Sequence, residues 1–350
     1  MSSLKKIKDQ VHSINATKQM TASMKVVAVS RLKKKHAAFL ESIPYADEMN
    51  RVVRRLVRSM KLRQEALIWQ DKDTLVKWPA LLNGNGKDDR YLIVMMTSDD
   101  GLSGASALQV ALQVQKLIAY LKEQGKSISV VAYGARGGDI FKRLCPDVPM
   151  MRIKSKKTKE AGAYLNAERL TADVIASFEQ NRFDRCLIVY NQFRSIILQV
   201  PVVEQIIPSH IFLKENPWDF MVEEKKITPK KSPFLSVIGG VNVLSSLKGA
   251  IFKTNLRGGK RSPEVYDYEP SDTGVLEAIL PQYLTAYVYR IILESEVSDN
   301  AARLMAMDNA TRNASEMLEK LSRVYRRTRQ AKITTDIAEV SAGANKEARI

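Results

Sequence analysis

The sequence is short of most of what catalysis uses. It has three histidines, His12, His36 and His210, and two cysteines, Cys145 and Cys186. No histidine lies at metal-ligand spacing from another ligand, and no Ser/His/Asp set can be assembled. The histidines read as surface residues. The cysteines read as two buried thiols in a reducing compartment rather than as a disulfide. There is neither a GxGxxG fingerprint nor a GxxxxGK[ST] loop. No apolar run approaches the roughly 18 residues of a membrane-spanning helix, and the opening MSSLKKIK lacks the apolar core of a secretory signal. A chain of 350 residues without a credible site reads as a protein with no catalytic site of its own, no cofactor and no metal.

Aromatic residues are scarce where positive charge is dense. Residues 1–63 hold 15 Lys/Arg against 4 Asp/Glu, a net +11 out of +17 for the chain, yet Phe39 and Tyr45 are the only aromatics before Trp69. Single-stranded nucleic acid is gripped by basic grooves with stacking rings. A basic coiled-coil nucleic-acid-binding protein is therefore the alternative reading, resting on charge alone. A solvated helix face, or a face that meets an acidic protein or anionic lipid, accounts for the same charge.

The last fifty residues organise what is present. From Ser298 to Asn345 there is no proline, and the only glycine is Gly343. Apolar residues at Ala301, Leu304, Met305, Ala310, Ala314, Met317, Leu318, Leu321, Val324 and Tyr325 recur at steps of three and four, the mark of a helix with one apolar stripe. Ser298, followed by Asp299 and Asn300, suits its N-cap. Such a helix is about 70 Å long, so its stripe needs a long partner. Leu4, Ile7, Val11 and Ile14 step by 3, 4 and 3 at the other end of the chain, and the pattern continues less regularly through Met20, Met24, Val27 and Leu32. Residues 3–60 read as a second long helix, with Pro44 as its candidate break. The two stripes are expected to pair antiparallel.

Between them strand and helix alternate. Tyr91–Thr97 is a strand buried on both faces. A helix over Ala105–Glu123, a strand Ile128–Tyr133, a short helix at 138–144, a helix Asn166–Asn181, a strand Asp184–Tyr190 and a neighbouring strand Ser195–Val203 follow. This is an α/β domain with a largely parallel, Rossmann-like sheet. The turn Ser98-Asp99-Asp100-Gly101-Leu102-Ser103-Gly104 invites a phosphate reading because it links a strand to a helix. Its two carboxylates would repel a phosphate, so it reads as a tight turn that starts the helix. Residues 211–263 are rich in Lys, Pro and Gly and read as a surface insertion. Leu276–Glu296 is a broad apolar helix that should pack on the sheet.

Three stretches in order carry a family resemblance. SLKKIKDQVHSINATKQMTASMKVVA, YLIVMMTSDDGLSG and ARLMAMDNAT with RTRQAKIT and SAGA resemble the first helix, first strand with its turn, and last helix of the gamma subunit of F-type ATP synthase. The resemblance covers about 1–60, 90–210 and 264–345. It implies a long antiparallel two-helix coiled coil from the terminal segments (1–63 and 298–350), joined to a central α/β domain (91–210) by a connector (64–90), with the insertion at 211–263 and a packed helix at 264–297. It also implies a rotor subunit whose coil stands inside alternating alpha and beta subunits, with the α/β domain on the membrane ring of c subunits beside epsilon. ATP chemistry would stay in beta. Arg329 and Gln330, with Met24, Lys25, Arg303 and Thr334 nearby, match the family's positions of contact with beta or between the helices. Asp99, Asp100, Gly101, Leu102 and Gly104 match a turn without an assigned role. The family usually carries a basic or amide residue at Asp100 and a cysteine at Ser103, so the resemblance carries no contact or redox role over to these two positions. The absence of a transit peptide implies the cytoplasmic side of a bacterial inner membrane rather than a mitochondrial matrix.

Overall fold

The structure, a computed structural model, describes residues 3–70, 78–153, 162–209, 217–221 and 272–347. In chain order the elements are α1 (Ser3–Gln70), α2 (Ala80–Asn83), β1 (Arg90–Met96), α3 (Ser106–Glu123), β2 (Ser127–Tyr133), α4 (Ala135–Leu144), β3 (Met150–Ile153), α5 (Gly162–Glu179), β4 (Arg185–Phe193), β5 (Gln199–Ile207) and α6 (Asp272–Glu347). They divide into two compact units. One comprises residues 1–33, 102–104 and 300–350; the other comprises 34–101 and 105–299.

The larger unit is built on a five-stranded sheet in the order β3-β2-β1-β4-β5. Four strands are parallel, and β5 runs antiparallel to β4. β1 is the reason the sheet is covered on both sides. Its run of apolar residues alternates between two cores: Leu92, Val94 and Met96 belong to one, Tyr91, Ile93 and Met95 to the other. α3 and α4 cover the second face through Val114, Leu117, Leu121 and Phe141. α5, the buried positions Val53, Leu56 and Met60 of α1, and Leu276–Ile292 of α6 cover the first.

The smaller unit is a two-helix segment. Lys25 meets Asp308 at 2.6 Å, and Thr21 meets Thr311 at 2.9 Å. Contacts further along α1 fall earlier on α6, so the helices run antiparallel. Within the larger unit the same sense holds, with Lys35 2.7 Å from Glu296.

Several expectations need correction. α1 does not break at Pro44. An interior proline costs about 3 kcal/mol, but Pro44 is on the exposed side, where water can satisfy the carbonyl it leaves unpaired. Phe39 and Val53, both buried, return about 1.5–3 kcal/mol each when the helix continues. Ser298 is no N-cap either: it is wholly buried inside α6, which is one helix from Asp272 to Glu347. Met20 and Val27 do not continue the seam, being 59% and 49% exposed. The less exposed positions of α1 follow an unbroken 3–4 alternation, Ile14, Lys18, Thr21, Lys25, Ala28, Leu32. Polar residues occupy the register where apolar ones were sought. On α6, Met317 and Val324 likewise face outward. α4 begins at Ala135 rather than 138, and α5 at Gly162 rather than Asn166. β5 is displaced to Gln199–Ile207 because Arg194–Leu198 forms the hairpin, with Arg194 N and Ser195 N both bonded to the Leu198 carbonyl. The four-residue edge strand β3 has no apolar alternation to betray it.

The insertion expected at 211–263 lies mostly outside the described residues, as does 264–271. Its described part, Pro217–Met221, is docked. Trp218 is buried against Tyr91 and Tyr120, its Nε1–H donates to Gln205 Oε1 at 3.2 Å, and Gln113 Nε2 donates to the Met221 carbonyl.

Candidate functional site

The turn at residues 98–104 follows β1 at the carboxyl ends of the parallel strands. α3 and α4 lie on one face of the sheet and α5 on the other, so this is the switch point of the fold, the usual ligand crevice of open α/β sheets. Here the chain fills the anion position itself. The Ala135 N–H, first of α4, donates to Asp99 Oδ1 at 2.8 Å, and the Gly137 N–H donates to Thr97 Oγ1 at 3.1 Å. Two glycines allow this approach. Gly134 has φ +101°, and a Cβ there would sit 2.0 Å from the Thr97 carbonyl oxygen; at Gly137 it would sit 2.5 Å from the Thr97 side chain. The N-terminal amides that would hold a phosphate are therefore satisfied by a carboxylate and a hydroxyl.

The other residues of the turn are structural by the same reckoning. Asp100 N–H donates to Ser98 Oγ at 3.1 Å. Gly101 lies beneath the Arg136 guanidinium, with room for a Cβ only 3.0 Å from Nη2. Leu102 adopts φ +65°, unusual for a residue with a β-carbon, and is 58% exposed. Gly104 has φ +60° and lies against Ala306. Ser103 is buried.

The six expected contact residues fall in two places. Met24, Lys25 and Arg303 lie along the paired part of the smaller unit. Lys25 Nζ approaches Asp308 Oδ1 at 2.6 Å, while Arg312 takes Asp308 Oδ2 at 2.7 Å. Arg303 Nη1 donates to Asn300 Oδ1 on its own helix at 2.8 Å. Arg329, Gln330 and Thr334 lie on the exposed end of α6, where every residue from Arg329 to Val340 is exposed. Thr334 donates to the Gln330 carbonyl at 3.0 Å. Lys8 and Val11 share a groove with Ser322, Tyr325 and Arg326. α1 starts only five residues before Lys8, so α6 outruns it near Gln330.

Two polar clusters escaped the sequence reading. Ser106, first residue of α3, donates to Asp299 Oδ1, and Asn191 Nδ2 donates to Ser106 Oγ at 2.9 Å; all three are buried. Between β4, β5 and α6, the Tyr190 and Tyr287 hydroxyls donate to Glu204. Tyr190 is also 3.4 Å from Glu294, and the Arg290 guanidinium lies 5.4 Å from the Tyr287 ring centre. Burial pushes Glu294 up to about 7 against the pull of Arg290, and burial also holds both tyrosines well above their usual range. Spacing gives little hint of these contacts: Tyr190 and Glu204 are 14 residues apart, Tyr287 and Glu204 83, and Ser106 and Asp299 193.

His36 is not a surface residue as expected. It is half-buried, edge-on to Phe193 at 5.8 Å, and burial lowers its pKa. His12 is exposed, and His210 lies outside the described residues. Cys145 and Cys186 are both free; Cys186 is fully buried with its thiol pushed up by burial, whereas Cys145 is half-buried and not buried as expected. Among the described residues no cluster of His, Cys, Asp or Glu could hold a metal ion, and no helix is long and apolar enough to cross a membrane.

Comparison with known proteins gives consistent matches along nearly the whole chain. A family model described as ATP synthase matches residues 3–346. The ATP synthase gamma chain of Mesorhizobium japonicum is 30% identical over 344 residues, 98% of this chain and 99% of its own length. That of Pelagibacter ubique is 29% identical over the same spans. Among solved structures, the OSCP/F1/c-ring assembly of Euglena gracilis mitochondrial ATP synthase has a chain that matches with a TM-score of 0.53 at 14% identity, over 98% of this chain and 94% of that one. A chain of the Tetrahymena thermophila mitochondrial ATP synthase central stalk and c-ring matches with 0.50 at 19%, over 83% and 99%.

Proposed function

The chain belongs to the ATP synthase gamma-chain family, whose member is the non-catalytic rotor subunit of the central stalk, and from that premise we propose how it works and what it touches. It turns with the membrane ring of c subunits and presents the two-helix segment to the alternating alpha and beta subunits, with epsilon beside the α/β domain. Rotation of an uneven helix surface drives each beta subunit in turn through its catalytic states, so ATP synthesis is coupled to proton flow. The chain is peripheral to the membrane through this complex, on the cytoplasmic side of a bacterial inner membrane.

The observation that carries this reading is the composition of the two-helix segment. Between Ile14 and Leu32 its α1 seam carries Lys18, Thr21, Lys25 and Ala28, and its far end on α6 is an exposed helix with Arg326, Arg327, Arg329 and Lys332. A helix that must turn inside a sleeve needs stiffness with weak, reversible contacts. Charge-assisted hydrogen bonds of roughly 1.5–3 kcal/mol from Arg329 to a passing carboxylate, with Gln330 as an uncharged second partner, have that strength. Met24, Lys25, Arg303 and Thr334 support that contact, Lys25 by fixing Asp308. The nucleotide stays on the catalytic subunits, in keeping with an α4 N-terminus that is already capped by Asp99. The test is co-purification of the tagged full-length chain with alpha and beta chains. Retention of both, with no salt-sensitive binding of random DNA, is the expected result; recovery alone, with a DNA gel shift, overturns the reading.

A further inference from the structure

The positive charge of the first 63 residues is only partly used by the contacts described so far. Within the larger unit, Arg51–Leu62 holds five basic residues and no acidic one. Val53, Leu56, Val57 and Met60 turn one side of this part of α1 into the core. Arg51, Arg55, Arg58 and Leu62 step by 4, 3 and 4, so they share the opposite side, and all four are exposed. Arg54 and Lys61, also exposed, flank the stripe. Arg54 Nε donates to Asn50 Oδ1 at 3.0 Å. Of the three arginines on the stripe, only Arg51 meets an acid among the described residues, Glu48 one turn before it.

The stripe is about 17 Å long. The outer side of a helix is convex and offers no pocket. A folded protein partner needs a matching hollow to cover such a row, whereas laterally mobile phospholipid headgroups gather round it without one. Guanidinium groups meet phosphate with two parallel N–H donors. Leu62 and Val52, 37% and 39% exposed, stand among these charges. The boundary between headgroups and acyl chains accommodates both kinds of side chain. No aromatic residue lies between Arg51 and Leu62, so the stacking that holds single-stranded nucleic acid is missing.

We propose that the Arg51–Leu62 face of α1 binds the anionic phospholipid surface of the membrane directly, through Arg51, Arg55 and Arg58. This contact adds to the attachment that the complex supplies, and it rests on the reading above only in placing the chain beside a membrane. Headgroups exchange sideways, so the face keeps its phosphate partners while the chain turns.

Vesicle flotation of the full-length chain tests this. Vesicles of equal parts phosphatidylcholine and phosphatidylglycerol should carry the chain, and vesicles of phosphatidylcholine alone should not. Each basic side chain at an anionic surface contributes roughly a fivefold factor, so Arg51→Gln with Arg55→Gln and Arg58→Gln should partition about a hundredfold more weakly. Lysine at the same three positions keeps the charge and should keep most of the partitioning. Lys122→Gln with Lys142→Gln and Arg143→Gln removes as much charge from exposed positions of α3 and α4 and should stay within about threefold of the unaltered chain, because charges beyond a Debye length are screened. An equal loss in this control reduces the effect to net charge and overturns the proposal. So does loss in the lysine triple. Unchanged vesicle binding by the glutamine triple, with loss of the c ring from its detergent-solubilised complex, overturns it as well and assigns the face to a protein partner. A chain that partitions as expected but does not co-purify with alpha and beta removes the rotor reading and leaves the membrane face standing.

Discussion

Asp184 binds Arg90 twice over. One carboxylate oxygen receives the Arg90 guanidinium at 2.8 Å, and the other receives the Arg90 backbone N–H at 2.9 Å. Asn85 and the Asp89 N–H complete the shell. The carboxylate is fully enclosed, and it ties the start of β1 to the start of β4.

The first prediction concerns acid stability. Burial alone would raise the Asp184 pKa, but hydrogen bonds from Arg90, Asn85 and the backbone outweigh it and hold the carboxyl well below the usual range. The folded pKa is depressed. Its contribution is therefore complete above the unfolded value near roughly 4 and is lost as pH falls through the folded one. Asp184→Ala should lower stability by about 3 kcal/mol at neutral pH, since it strands buried donors. Urea unfolding of both chains at pH 7 and pH 3 measures this; the gap between them should narrow at the lower pH.

Glu294 works in the opposite sense. Its folded pKa is raised to about 7 by burial. The folded chain holds a proton that the unfolded chain releases, from roughly pH 4 up to about 7. Stability from this group falls as pH rises through that window. Glu294→Gln should flatten the fall. Melting temperature measured between pH 5 and pH 8 would decide, and an unchanged slope in the variant would remove Glu294 as its source.

Glycine positions should differ sharply in tolerance. Gly134→Ala drives a Cβ into the Thr97 carbonyl at a positive φ and should cost about 3 kcal/mol or more. Gly86 has φ +77° but open space around it, so Gly86→Ala should cost only about 1 kcal/mol. Denaturant midpoints of the two variants give the comparison.

The proposed coupling contact at Arg329 and Gln330 is tested in the assembled complex. Arg329→Ala with Gln330→Ala should leave assembly intact while ATP hydrolysis and proton pumping fall or uncouple. Normal coupled turnover in that double variant would leave only the shape of the shaft to carry the mechanism.

What the sequence made legible followed physical period. The doubly buried β1 was readable from its unbroken apolar run, and the seam from Leu4 to Ile14 from its heptad spacing. Past Ile14 the same spacing continues through Lys18, Thr21 and Lys25. A search for apolar residues passed over these for Met20 and Val27, which face outward. Ser298 resembled a helix start because its residue type suits one, but the packing of Leu293, Val297 and Ala301 keeps α6 helical through it. The Asp99–Ala135 cap, the Asp184 shell and the Glu204 cluster join residues far apart in sequence. No local pattern encodes them. Trp218 was counted with a surface insertion because its neighbours are polar and proline-rich, whereas its ring fills a place beside Tyr91.

The small side chains of the seam also set how the two-helix segment comes apart. With Lys, Thr and Ala at the α1 seam positions from Lys18 to Ala28, this stretch removes less apolar surface from water than the doubly covered sheet does. It adds correspondingly little to the heat capacity of unfolding. Local opening should therefore start there, well below the energy needed to open the sheet. In the isolated chain, backbone amides of Lys18–Ala28 and of α6 beyond Tyr325 should exchange with deuterium orders of magnitude faster than those of β1 and β4. An enclosing ring of partner subunits would be needed to slow them.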